Sequence, residues 1–197
     1  MSEGLQDRFA SERVDPLQGY TERPVPWFLE NILPRFTALN LGPSLLDIGC
    51  GYGYFTKQYA AQVDWVAGLD FTQERIDAAK TLNAADNILY LACDITKDIP
   101  LRNMHDAVSS ACFQHILPGL RYRAFANVHR ALKLDARLVL YDESFDQHRH
   151  LWDDFFEPIS PGWLRDELPD LYTLESCEFV CRGGIGEYIF EYVLRRR

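Results

Sequence analysis

The sequence predicts an α/β fold: a single doubly wound domain with helices on both faces of a mostly parallel sheet. Three observations predict it. Short apolar runs alternate with stretches of helical period between residues 45 and 143, the pattern of parallel strands joined by crossover helices. A glycine-rich turn, "LLDIGCGYGYFT", links the first apolar run to the helix behind it. Beyond residue 143 the pattern changes to short helices and two alternating strands, read as an antiparallel pair at one edge.

The elements follow in order. "PVPWFLENILPRFTAL" places Phe28, Ile32, Phe36 and Leu39 on one helical face, with Pro34 as an internal break or kink. "LLDI" is a short buried strand. Gly53 to Val63 is a helix, with Phe55, Tyr59 and Val63 four apart. "WVAGLD" is a second strand. Thr72 is expected to cap the next helix, although Arg75 replaces the acid of a capping box. "NILYLACD" and "DAVSSACF" are the third and fourth strands. Leu120, Ala124, Val128 and Ala131 or Leu132 form a helical stripe, and "RLVLYDE" is the fifth strand. "HRHLWDDFFEPISPGWLRDELPD" reads as two short helices, and "YTLESCEFV" and "GEYIFEYVLRR" as the closing strands.

At 197 residues, 47% hydrophobic and 25% charged, the chain has the make-up of one globular domain. It divides into an N-terminal, lid-like arm and helix (1–41), a core carrying the glycine turn (42–143), and the later helices with the final strand pair (144–197). No apolar run reaches the roughly 20 residues of a membrane span, and the polar start lacks a signal-peptide core. A net charge of −9 weighs against nucleic acid as a partner; Arg195 to Arg197 read as a solvated end. Five cysteines without paired spacing argue against a disulfide framework and suit a reducing cytoplasm. Cys177 and Cys181 share a strand face, but four zinc ligands do not assemble around them.

The glycine turn narrows the ligand. A phosphate-binding P-loop requires Lys and then Ser or Thr after its last glycine, and here "YFTKQ" follows. A dinucleotide turn is disfavoured because Tyr54 stands where its third glycine belongs. Asp47, at the end of the first strand, would repel a pyrophosphate and attract a cation. S-adenosylmethionine carries a sulfonium and an ammonium and no phosphate. Asp70 and Asp94 close the second and third strands on the same side, where carboxylates can accept bonds from ribose hydroxyls and from an adenine amino group.

"LLDIGCGYG", "VAGLD", "ACDI" and "DAVSSACFQHIL" together resemble the successive motifs of class I S-adenosylmethionine-dependent methyltransferases, closely over residues 42–143 and by topology over 144–197. The resemblance implies a Rossmann-like, mostly parallel seven-stranded sheet with an antiparallel last strand. It implies S-adenosyl-L-methionine as cofactor and S-adenosyl-L-homocysteine as product. It assigns Gly49, Gly51 and Gly53, with Asp47 and Cys50 in the same turn, to the methionine part. Asp70 goes to the ribose, Phe71 beside the adenine, and Asp94 and Ile95 to the adenine edge. Ala111, Cys112 and Phe113 line the methionine end. Leu134-Asp135-Ala136 departs from the Pro-Gly-Gly that relatives often carry, which puts the shape of one surface turn in question.

Methyl transfer requires collinear, dry positioning more than a dedicated base. His115, Asp142 and Glu143, at the mouth of the crevice, are the candidates for a base or for acceptor binding. Tyr20 and Trp27, then Trp152, Phe156 and their aromatic neighbours Phe155 and Trp163, are candidate pocket or lid residues. Tyr20 is the preferred lid contact. The expected function is transfer to oxygen or nitrogen of a small molecule. The alternatives are methylation of a protein or peptide and a non-catalytic binder of S-adenosylmethionine. A nicotinamide oxidoreductase is opposed by Asp47 and by the missing third glycine.

Overall fold

The computed structural model describes residues 24–143, 158–182 and 188–197. Tyr20, Trp152 and Phe156 lie outside the described residues, and Trp27 and Glu143 are placed by backbone alone.

The expected first helix is two. α1 (Pro24–Asn31) and α2 (Leu33–Ala38) meet at Ile32. Pro34 falls in the first turn of α2, where its missing N–H is not needed. Phe28, Ile32 and Phe36 form the buried stripe.

β1 (Ser44–Ile48), β2 (Trp65–Asp70), β3 (Ile88–Ala92), β4 (Met104–Ser110), β5 (Leu132–Glu143), β6 (Tyr172–Arg182) and β7 (Tyr188–Arg196) form one sheet in the order β3-β2-β1-β4-β5-β7-β6. β7 runs antiparallel to both β5 and β6, so the closing pair is inserted as well as appended. β1 is buried along its whole length, as a central parallel strand covered on both faces must be.

α3 (Tyr54–Ala60) and α4 (Gln73–Leu82) lie between the first strands in sequence; α5 (Pro118–Ala131) and α6 (Pro161–Glu167) follow β4 and β5. One core layer joins α1, α2 and α3 to the sheet through Phe28, Phe36, Leu45, Tyr59, Val108 and Val139. The other joins α5 and α6 to the opposite face through Leu46, Ala107, Phe125, Leu138 and Leu164. These two layers are the doubly wound arrangement.

Several boundaries differ from the sequence expectation for local reasons. α3 begins at Tyr54 because Gly53, at φ +79°, is its left-handed cap. Thr72 occupies the cap position of α4 but its side chain makes no capping bond; its N–H instead donates to Asp70 Oδ1 at 2.9 Å. β4 stops at Ser110, since Ala111 turns left-handed at φ +53° and a 3₁₀ turn (Phe113–His115) follows. β5 starts five residues before the expected Arg137. Asp135 adopts φ +61° in the place of the expected glycine, so the altered turn keeps a glycine-like backbone. Of the two short helices expected after residue 143, α6 is described, capped by Ser160 Oγ accepting from Trp163 N–H at 3.0 Å.

Candidate active site

β1 neighbours β2 on one side and β4 on the other, so consecutive crossovers leave in opposite directions at its carboxyl end. That switch point is where open α/β sheets bind ligands, and the glycine turn sits there. The N–H groups of Gly49 and Cys50 both donate to Leu69 O, at 2.8 and 2.9 Å, tying the turn to β2. Gly49, Gly51 and Gly53 all have positive φ, at +77°, +52° and +79°, a backbone that glycine adopts without strain. Their surroundings differ. A Cβ on Gly49 would stand 2.6 Å from Cys112 Cβ, and one on Gly53 would strike the Tyr90 ring and hydroxyl. A Cβ on Gly51 would meet nothing within 4 Å. Two of the glycines let the turn pack; the third faces open space.

Three carboxylates stand at the carboxyl ends of β1, β2 and β3. Asp47 is buried in β1 and accepts from Thr56 Oγ1 at 2.6 Å. Burial pushes its carboxyl from the ordinary 3.8 up to about 7, with the Thr56 hydrogen bond opposing and the Asp70 charge adding. Asp70 ends β2. Its Oδ2 accepts from Gly51 N–H and its Oδ1 from Thr72 N–H, both at 2.9 Å, so the backbone fixes the carboxylate on the turn. Asp94 lies two residues beyond β3. Its Oδ1 accepts from Thr96 N–H at 3.0 Å and Thr96 Oγ1 at 2.6 Å, and Lys97 Nζ stands 3.4 Å from Oδ2. Beside it, Ile95 O accepts from Asn127 Nδ2 at 2.7 Å. Phe71 is half-buried directly after Asp70.

On the far side, Ala111 is exposed and its N–H donates to Tyr141 O at 2.9 Å. Cys112 packs against Gly49, and burial pushes its thiol far up, as it does the Cys50 thiol, so both are protonated and inert at neutral pH. The Phe113 ring turns away into the core and stacks on Phe125 at 4.2 Å, which leaves only its backbone on the crevice side. His115 is half-buried in the 3₁₀ turn. Asp142 is fully buried on the face opposite Tyr141, whereas sequence reading set it at the crevice mouth or in a solvated turn.

Sequence reasoning missed the residues that hold the site in shape. Thr56, nine residues after Asp47, reaches back from the first turn of α3. Tyr90 lies against both Gly53 and Gly68, and its hydroxyl donates to Asn83 O at 3.0 Å. Only the strand alternation of "ILYLA" hinted that Tyr90 points inward.

Residues 45–135 match the family described as "Methyltransferase domain". With the seven-stranded sheet and the turn at its switch point, the matched stretch is similar to class I S-adenosylmethionine-dependent methyltransferases, two of whose solved structures hold S-adenosyl-L-homocysteine. Among individual proteins, a malonyl-[acyl-carrier protein] O-methyltransferase of Bacillus anthracis is 24% identical over 191 residues, covering 93% of this chain and 70% of the relative. The enzyme of the same name from Serratia marcescens is 36% identical over 76 residues, which is only 28% of that relative. In structure, the chain is similar to N-methyltransferase NodS from Bradyrhizobium japonicum with S-adenosyl-L-homocysteine, at TM-score 0.81, 16% identity and 98% coverage of both chains. It is also similar to 1,6-didemethyltoxoflavin-N1-methyltransferase from Burkholderia thailandensis, at TM-score 0.74, 18% identity, and 99% and 88% coverage.

The residues present fit the cofactor. The open space at Gly51 admits a ligand against bare backbone, and the carboxylates of Asp47 and Asp70 suit a ligand bearing positive charge and hydroxyl groups.

Proposed function

We propose that the chain transfers a methyl group to an oxygen or nitrogen of a small-molecule acceptor by in-line displacement. The observation that carries this reading is the pairing of a ligand-open, left-handed Gly51 with the Asp70 carboxylate that its own N–H holds at 2.9 Å. When bound, S-adenosylmethionine supplies a methyl group already activated by its sulfonium.

The chain's own residues bind and orient. Gly49, Cys50, Gly51 and Gly53 present backbone to the methionine part, and Asp47 offers a counter-charge to its ammonium. Asp70 accepts from the ribose hydroxyls, with Phe71 beside the adenine. Asp94 and Ile95 meet the adenine edge. Ala111, Cys112 and the Phe113 backbone close the methionine end. Positioning of this kind supplies about 7–11 kcal/mol of a barrier, so a base is needed only for an acceptor that must lose a proton. His115 and Glu143 are the candidates with a crevice-side backbone. Asp142, on the buried face, acts on the acceptor only if that face opens.

A second reading, transfer to an acceptor held on a carrier protein, draws support from the names of the relatives from Bacillus anthracis and Serratia marcescens. Calorimetric titration with S-adenosylhomocysteine against NAD tests the cofactor. A labelled-methyl assay over free and carrier-bound acceptors tests the transfer. Binding without transfer to any acceptor would leave the chain a binder of the cofactor and overturn the catalytic reading.

A further inference from the structure

Two buried polar side chains of α5, Arg121 and Asn127, are bonded to the backbone of the loops that follow β4 and β3. In the sheet order β3-β2-β1-β4 these loops stand on either side of the glycine turn. Arg121 continues the core-facing stripe of Ala124, Phe125 and Val128 and is only 2% exposed. Its Nε donates to Ile116 O at 2.9 Å and its Nη2 to Gln114 O at 3.2 Å. Those carbonyls flank His115, so one planar guanidinium clasps the 3₁₀ turn behind Cys112. Asn127 is equally buried. Its Nδ2 donates to Ile95 O at 2.7 Å, and its Oδ1 accepts from Arg130 Nη2.

Helix stability explains neither residue. A cation near the amino end of α5 opposes the helix dipole, and a guanidinium taken out of water is destabilising unless its donors are bonded. An apolar side chain at 121 would extend the stripe without that penalty. Asparagine is a weak helix former, yet at 127 its amide leaves the helix for a loop 32 residues earlier. Each bond acts on the crevice through one rigid peptide plane. The Ile95 carbonyl shares its peptide with the Thr96 N–H, which donates to Asp94 Oδ1 at 3.0 Å. The Gln114 carbonyl shares its peptide with the His115 N–H, which donates to Cys112 O at 3.0 Å. Asn127 thus reaches Asp94, and Arg121 reaches Cys112. Ile95, Phe113, Phe125 and Val128 belong to one core cluster, which packs the two loops and the helix together.

Resting on the cofactor placement proposed above, we propose that Arg121 and Asn127 are positioning residues that divide the crevice between them. Arg121 sets the methionine end through Cys112, and Asn127 sets the adenine edge through Asp94. Both act through backbone rather than on the cofactor itself. Helix rise separates them by about 9 Å along the axis, so α5 is a splint that fixes the spacing of the two loops.

The test uses the full chain and two ligands: S-adenosylhomocysteine, and 5′-methylthioadenosine, which keeps the adenosine and lacks the amino-acid part. The ratio of their Kd values, read by calorimetry, is independent of the fraction of protein folded. Arg121→Met should weaken S-adenosylhomocysteine at least tenfold and methylthioadenosine less than twofold, so the ratio shifts at least fivefold. Arg121→Lys keeps the charge and one bond; it should shift the ratio about threefold, and it carries the comparison if Arg121→Met does not fold. Asn127→Leu, or Asn127→Ser should that variant not fold, is expected to weaken both ligands about fivefold and leave the ratio within twofold of wild type. A purely structural role would lower the Tm and leave every ratio at the wild-type value, which overturns the proposal. So would a ratio that moves as far in the Asn127 variant as in the Arg121 variant, or an Asn127 variant that binds both ligands within twofold of wild type. Wild type that binds S-adenosylhomocysteine but not methylthioadenosine also overturns it, since the adenine edge is then no separate subsite. If wild type binds neither ligand, the cofactor reading falls with the proposal; binding with unmoved ratios overturns the proposal alone.

Discussion

Thr56 Oγ1 donates to Asp47 Oδ2 at 2.6 Å, joining the first turn of α3 to the strand before the glycine turn. This bond and burial act on Asp47 in opposite directions, and burial wins, leaving a carboxyl that titrates near neutrality at about 7. A cation bound nearby favours the ionised form. Cofactor binding should therefore release up to one proton below pH 7, and affinity should fall by at most tenfold per pH unit on the acid side. Titrations at pH 6 and pH 8, each in two buffers of different ionisation enthalpy, read the proton directly. Thr56→Val removes the bond that favours the charged form, so it should move the titration upward and weaken affinity several-fold at pH 7.

The same raised carboxyl bears on stability. The folded state binds the Asp47 proton more tightly than the unfolded chain, whose carboxyl titrates at 3.8. The ionised form therefore costs stability as pH rises from about 4 through 7, and the cost is complete above that. Asp47→Asn should stabilise the free protein at pH 8 on the order of 2 kcal/mol and leave it unchanged near pH 3. Denaturant melts at the two pH values measure both, and equal effects at each would contradict the burial argument.

The three glycines of the turn should separate fold from ligand. Gly49→Ala drives a Cβ into Cys112 at a left-handed φ and should cost about 2–4 kcal/mol. Gly51→Ala meets only the backbone penalty, about 1 kcal/mol, yet should weaken cofactor binding more than tenfold. Gly51→Val should abolish binding while the protein stays folded. Tm and the Kd for S-adenosylhomocysteine, measured side by side, distinguish the two classes.

Asp70→Ala removes the acceptor for two backbone N–H groups as well as the expected ribose contact. The domain should still unfold cooperatively, destabilised by about 1–3 kcal/mol, and cofactor affinity should fall by more than tenfold. Unchanged affinity would remove Asp70 from the site.

Asp135 adopts φ +61° in the turn where relatives often carry glycine. Asp135→Gly should relieve that backbone and raise stability by about 0.5–1 kcal/mol, a Tm gain of roughly 1–4 °C. Arg195 Nη1 donates to the Asp135 carbonyl at 2.9 Å, a bond the substitution keeps.

The layer order and the turn were legible in the sequence because each rests on local chemistry. "WVAGLD" gave the exact bounds of β2, and the acids at 47, 70 and 94 gathered at one end because parallel strands all end there. Contacts between distant segments were not legible. Nothing near Thr56 announces that it serves Asp47. The inward turn of Phe113 depends on Phe125 in the following helix. Phe113 was placed by motif position and Asp142 by its place at a strand end, and each locates a backbone and not the direction of a side chain.

The insertion of β7 between β5 and β6 also governs how the domain is assembled. Residues 188–196 supply one side of the ladder for 137–143 and all of the described pairing for 172–182. Until they dock, β5 is a bare edge rich in apolar residues, and β6 has no strand to join. Such pairings across long separations are slow to form, and an unpaired edge of this kind invites association with other chains. A proteolytic nick that released β7 would thus do more than fray an end: it would open the middle of the sheet and favour aggregation over refolding.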